Sequence, residues 1–174
     1  MQNKIAQFIE SLKSNKRLSS LDEASTKQAI VIKMLSLLEW DIFDVEEVKP
    51  DLTVRGNMVD FSLRKNKMDV VFIRVKKPSD ELEKHQKEIL SSAIGEGVKL
   101  AILTSGVTWW FYLTFEEGSS EQRRFCAVDL MKQKPADAAL KLIGFLAKST
   151  VISGKALLEN KISDEELRPF LPNA

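Results

Sequence analysis

The stretch Val59–Lys77, VDFSLRKNKMDVVFIRVKK, reads as two strands and the turn between them. Met58–Arg64 and Asp69–Lys77 are rich in β-branched and aromatic residues, and Pro78 ends the second run. Side chains along a strand alternate between faces. Met58, Asp60 and Ser62 therefore share one face, and Val59, Phe61 and Leu63 the other. In the second strand Phe72, Arg74 and Lys76 share a face, opposite Val71, Ile73 and Val75. The apolar sets are assigned to the core, so the polar sets meet on the opposite face. Antiparallel partners on one face have residue numbers of even sum, which the pair Asp60–Arg74 satisfies. That register leaves the loop Asn66-Lys67-Met68, unless a bulge shifts it. The hairpin carries Arg64, Lys65, Lys67, Arg74, Lys76 and Lys77, with Asp69 between them, a local basic patch suited to phosphate.

Working outward, Ile5, Phe8, Ile9 and Leu12 recur at helical spacing. Ser19-Ser20 are read as the cap of a second helix that runs to about Leu38, with Asp22 and Glu23 in its first turn, where carboxylates complement the helix dipole. Val45–Lys49 is predicted as a strand. Asp80–Ala93 is predicted as a helix stopped by Gly95 and Gly97. Lys99–Thr104, Thr108–Thr114 and Arg124–Leu130 are predicted strands. Ala138–Ala147 is a helix, and Lys155–Leu171 is partly helical. The expected fold is α/β, a mixed sheet flanked by helices in one domain over residues 1–174.

The chain has 174 residues, 44% hydrophobic and 29% charged, with a net charge of +1. These values fit a globular domain with its own core. With a bulk charge near zero, any nucleic-acid contact must come from a local patch. The single Cys126, in the apolar run FCAV, excludes an internal disulfide, points to a cytoplasmic setting and reads as a small core residue. No run reaches membrane-spanning length, so no membrane partner is expected. There is no Walker A loop, GxGxxG or CxxC pair, and one His with one Cys excludes a conventional zinc site.

The segment from about Asp22 to Tyr112 resembles the nuclease domain at the N-terminus of type I restriction enzyme motor subunits, within the PD-(D/E)xK superfamily. The residues that carry the resemblance are Glu23-Ala24-Ser25-Thr26-Lys27, Leu37-Leu38-Glu39-Trp40-Asp41, Val59–Leu63, Ile73–Pro78, Leu82–His85, and Leu103–Gly106 followed by Trp109 and Tyr112. The resemblance implies a restriction-endonuclease-like fold, with Ser153–Ala174 as an extension outside the match. It also implies DNA as partner and Mg2+, or Mn2+, as cofactor. A separate motor or restriction–modification protein is a further partner class, because no motor is encoded here, and a homo-oligomer is another. Asp60 matches the family's metal-binding aspartate, Lys76 its catalytic lysine, and Glu23 a helix carboxylate that assists the metal.

Four positions depart from the pattern. Arg74 stands where the second metal-binding acid is expected, Glu88 and Ser92 where the subgroup has glutamine and tyrosine, and Glu39-Trp40 where a glycine is usual. Two readings of Arg74 follow. In one, Arg74 pairs with Asp60 and replaces the metal, leaving a non-catalytic module that grips phosphate or a protein partner through Arg74, Lys76 and Lys77, with Lys65 and Lys67 in the same basic patch. In the other, the acid has moved to Glu88. Asp60, Glu88 and Glu23 then hold magnesium, Lys76 helps activate water, and the chain is a DNA phosphodiesterase. A bidentate Asp60–Arg74 pair favours the first reading. Asp60 and Glu88 oxygens close enough to share a cation favour the second. Trp109–Tyr112 are candidates for base stacking, with half of them expected in the core.

Overall fold

The computed structural model describes residues 1–157; the extension beyond 157, with most of the predicted tail helix, lies outside the described residues. Six strands form one sheet in sequence order: β1 Val48–Val54, β2 Asn57–Lys65, β3 Met68–Val75, β4 Leu100–Thr104, β5 Thr108–Leu113 and β6 Arg124–Asp129. Neighbours are antiparallel except β3 and β4. A parallel step needs a crossover. Here it is the 3-10 turn Leu82–His85 and the helix α4, Gln86–Glu96. The other helices are α1 Gln2–Lys13, α2 Glu23–Thr26, α3 Ile32–Leu37, α5 Ser120–Arg123, α6 Pro135–Leu146 and α7 Lys148–Ile152. A π-turn, Lys27–Val31, joins α2 to α3. This is an α/β architecture, a mixed sheet with flanking helices, consistent with the restriction-endonuclease-like fold.

Both faces of the sheet are covered. One core packs α1, α3 and α6 on Val71, Ile73, Ile102, Trp109 and Phe111. The second packs Ile89, Leu90 and Ala93 of α4 on Phe72, Ala101, Leu103 and Tyr112. The expectation of an apolar face opposite an open polar one is therefore corrected, because α4 buries Phe72 where a polar surface was predicted. Cys126 is partly buried against the first core, and burial pushes its thiol pKa up.

The β1–β2 end breaks the alternation. Residues at even spacing keep one face of a regular strand. Yet Val48, Phe61 and Leu63 join the first core, whereas Val54 and Val59 join the second. The switch falls at Asp51, whose φ is +52°, opposite Asp60. Beyond it the hairpin curls over α4. Ser92 Oγ donates to the Val54 carbonyl at 3.4 Å, and Arg55 Nη2 to the Gly95 carbonyl at 2.8 Å. Val59 therefore does not share a face with Phe61, as strict alternation had it.

Other expectations shift by a few residues. β1 begins at Val48, because the Asp44 carbonyl holds the Glu47 and Val48 N–H groups in a turn. The cap of α2 is Asp22, not Ser19-Ser20; its Oδ1 accepts from Ser25 N–H at 2.7 Å. The β2–β3 loop has two residues, not three. Leu63 pairs with Val71 but Arg64 with Asp69, so Val70 is the extra residue of a bulge. Asn66 and Lys67 both take positive φ, 51° and 65°, which a tight two-residue hairpin turn requires. Glu39 sits at φ +72°, a conformation that glycine adopts without strain, which accounts for the glycine usual in the resembling family. Gly106 at φ +83° lets α2 and the π-turn lie close over the β4–β5 turn, since a Cβ there would meet Thr26 Cγ2 at 2.8 Å.

Candidate functional site

The polar centre lies at the end of the sheet where β3 and β4 finish. Phe61 pairs with Ile73, and that register sets Asp60 beside Arg74. Asp60 is 1% exposed. Its Oδ2 accepts from Val75 N–H at 2.6 Å and from Arg74 Nη1 at 2.8 Å. Its Oδ1 lies 2.7 Å from Lys27 Nζ. Lys27 also reaches Asp51 Oδ1 at 3.1 Å. Glu23, one helical turn before Lys27, places Oε1 3.2 Å from Arg74 Nη1 and Oε2 3.7 Å from Lys76 Nζ. Three carboxylates and three cations thus form one network, anchored on an aspartate that has left water.

The burial is uneven and so are its consequences. Arg74 is 13% exposed, and its Nε is buried without a hydrogen-bond partner among the described residues. Burial disfavours the charged form of Lys27, but its pairs with Asp60 and Asp51 outweigh that and hold its ammonium above the usual lysine range. The Arg74 contact with Asp60 is single-pronged, through Nη1 alone, and not the bidentate fork that would favour the non-catalytic reading; the same nitrogen also bonds Glu23, and Lys27 holds the second aspartate oxygen.

The donor set does not fit magnesium. That ion takes hard oxygen ligands in octahedral geometry. Here both Asp60 oxygens are engaged by cations or an N–H, and a divalent ion beside them would face two fixed positive groups within a few ångströms. Glu88 is exposed in the first turn of α4, with no hydrogen bond or ion pair to Asp60 or Glu23. Nor does it pair with Lys84, whose Nζ lies 2.9 Å from Glu81. Among the described residues, no group of three or more His, Cys, Asp or Glu side chains is placed to hold a metal.

The hairpin cations separate. Arg74, Lys76 and exposed Lys77 lie at the Asp60 end, whereas Lys65 and Lys67 lie at the turn, about 17–23 Å from Asp60 and Arg74 along the strands at ~3.3 Å per residue. Lys65 Nζ donates to the Ile152 carbonyl at 2.8 Å, and Arg64 pairs with Asp69 at 2.8 Å. Of the aromatic run, Trp109, Phe111 and Tyr112 are fully buried; Trp110 is partly exposed under the Arg124 guanidinium, 4.1 Å from its ring.

Two side chains carry weight that the sequence reading did not give them. Lys27 enters the sequence reading only within the Glu23–Lys27 segment; its spacing of four from Glu23, which puts both on one helix face, is the available signal. Gln86, buried at the start of α4, accepts from the Tyr112 hydroxyl at 2.7 Å and donates to Glu121 at 3.1 Å. Burial raises the Tyr112 phenol pKa far above its usual range. Because the folded pKa is raised, its contribution to stability is full below the unfolded value of about 10 and is lost as pH rises beyond it. Urea unfolding between neutral and alkaline pH should therefore show wild type losing stability above about pH 10, and Tyr112→Phe losing less over the same range.

No family model matches the chain, and no curated protein matches it. Among solved structures, one described as a cryoEM structure of a DrdV–DNA complex aligns over 79% of this chain, with a TM-score of 0.49 and 17% sequence identity. The chain spans 14% of the length of that structure's chain. Among the described residues no helix is long and apolar enough to cross a membrane.

Proposed function

We propose that this chain is a DNA-associated module of the type I restriction nuclease-domain kind, in which a buried ion-pair cluster stands in place of the metal site. One observation carries the reading: Arg74 Nη1 bridges Asp60 Oδ2 and Glu23 Oε1, so a guanidinium occupies the space between the two carboxylates that the family resemblance assigns to a cation. Lys27 on the other Asp60 oxygen completes the neutralisation. The α/β fold and the order of the resembling segments support the class, and a separate motor or restriction–modification protein belongs to the same reading as a partner. A magnesium-dependent phosphodiesterase with Glu88 as relocated acid requires Arg74 and Lys27 to withdraw and Glu88 to approach Asp60.

The test is calorimetric titration of Mg2+ and Mn2+ into wild type and Asp60→Asn, with plasmid nicking and duplex binding measured on the same samples. Duplex binding is expected, with no nicking and no saturable metal heat that depends on Asp60. Nicking by wild type that disappears in both Asp60→Asn and Glu88→Gln would replace the proposal with the relocated-acid enzyme.

A further inference from the structure

A cationic surface that the resemblance does not assign lies at the same end of the sheet. β6 ends there, at Asp129, because β4 and β6 both run toward this end and Thr108 pairs with Asp129. The chain then passes through Lys132 and Lys134 into α6. The C-terminal end of α1 meets this segment, where Lys13 Nζ donates to the Gln133 carbonyl at 2.9 Å. Lys16 and Arg17 follow directly, before the chain turns into α2 and Glu23. Lys13, Lys16, Arg17, Lys132 and Lys134 are all exposed, and none lies in a core.

Among the described residues, the neighbouring acids compensate little of this charge. Asp129 accepts the Met131 and Lys132 backbone N–H groups at 2.9 and 3.1 Å, and its closest lysine contact is 4.0 Å. Asp22 caps α2. Glu10 and Asp137 are exposed on the flanking helices. Two short acid-free runs, KSNKR at 13–17 and MKQK at 131–134, are thus held side by side by a hydrogen bond in a chain of net charge +1. From β6 to β3 is three strand spacings, about 14 Å, so the patch and exposed Lys77 border one end of the sheet. That spread suits a run of phosphates along a duplex backbone better than a single small anion.

We infer that Lys13, Lys16, Arg17, Lys132 and Lys134 form the surface that contacts the phosphate backbone of duplex DNA, without reading base sequence. This rests on the proposed DNA association and names the surface that carries it. Lysines and arginines on phosphates release counterions, so binding would weaken steeply with salt.

The experiment is fluorescence anisotropy of a labelled duplex of about 30 base pairs across a salt series. It compares wild type, a patch variant (Lys16→Gln, Arg17→Gln, Lys132→Gln, Lys134→Gln), a charge-keeping variant (Lys16→Arg, Lys132→Arg, Lys134→Arg) and a hairpin-turn variant (Lys65→Gln, Lys67→Gln). The patch variant should bind at least about tenfold more weakly near 0.1 M salt, and its log–log salt slope should be shallower by about 3. The charge-keeping variant should match wild type within about twofold, and the turn variant should lose less affinity than the patch variant. If wild type binds no duplex, the proposed DNA association fails and this surface with it. If wild type binds and the patch variant is unchanged, or the turn variant is the one that loses binding, the association stands and this surface is overturned. Phosphatidylserine vesicles that bind wild type through these residues while duplex does not would also overturn it, in favour of a membrane surface.

Discussion

Asp60→Ala is expected to be the most destabilising alanine substitution at this site, by about 3 kcal/mol in urea unfolding. Asp60 is 1% exposed, and it accepts one backbone N–H and two side-chain cations. Its removal leaves the Val75 N–H and two partly buried positive groups without their main partner. Breaking a buried pair from one side typically costs about 3–5 kcal/mol, because a charge is left out of water uncompensated. The lower end applies here, since Arg74 keeps Glu23 and Lys27 keeps Asp51. Glu23→Ala should cost below about 1 kcal/mol, because that carboxylate is 38% exposed and solvent screens its pairs. Apolar replacement on both sides, as in Asp60→Leu with Arg74→Met, should recover part of the loss, since uncompensated charge is its largest component. A loss for Asp60→Ala no larger than for Glu23→Ala would mean that the ion-pair cluster is not a structural centre.

Arg74→Glu is the second substitution with a large expected effect. Without divalent metal it should unfold at lower urea by about 3 kcal/mol or more, because it replaces the bridging cation with a third carboxylate between Asp60 and Glu23. The same change supplies a set of hard oxygens, so Mg2+ or Mn2+ should restore stability by binding the folded state. The gain is RT ln(1 + [metal]/Kd), about 2.7 kcal/mol at a hundredfold excess over Kd. Thermal midpoints measured across a magnesium series should rise for Arg74→Glu and stay flat for wild type. A variant midpoint indifferent to metal would show that Asp60, Glu23 and position 74 do not converge on one cation-sized space, and the proposal that the cluster stands in place of a metal site would lose its geometric basis.

The strands and helices were legible because their apolar spacing repeats locally. The β2–β3 register at Asp60 was legible too, since the pair Asp60–Arg74 satisfies the even-sum rule and the bulge at Val70 falls beyond that pair. Three features were not legible. The two-residue turn at Asn66-Lys67 depends on positive φ at a lysine, which composition does not announce. The switch of Val54 and Val59 to the second core depends on the backbone at Asp51. The role of Lys27 depends on the docking of α2 at Gly106, a packing event between segments some eighty residues apart in sequence.

The α/β order of elements, the acid at position 60 and the arginine at position 74 are readable from residue type and local spacing along the chain. Only the tertiary structure decided what that arginine does. Its nitrogen reaches Glu23 as well as Asp60 because a helix from before the sheet lies against the strand ends. Only the tertiary structure, too, brought Lys13 to the Gln133 carbonyl and Lys65 to the Ile152 carbonyl. Charge acts through space, and the distances between charges on separate segments are set when those segments pack.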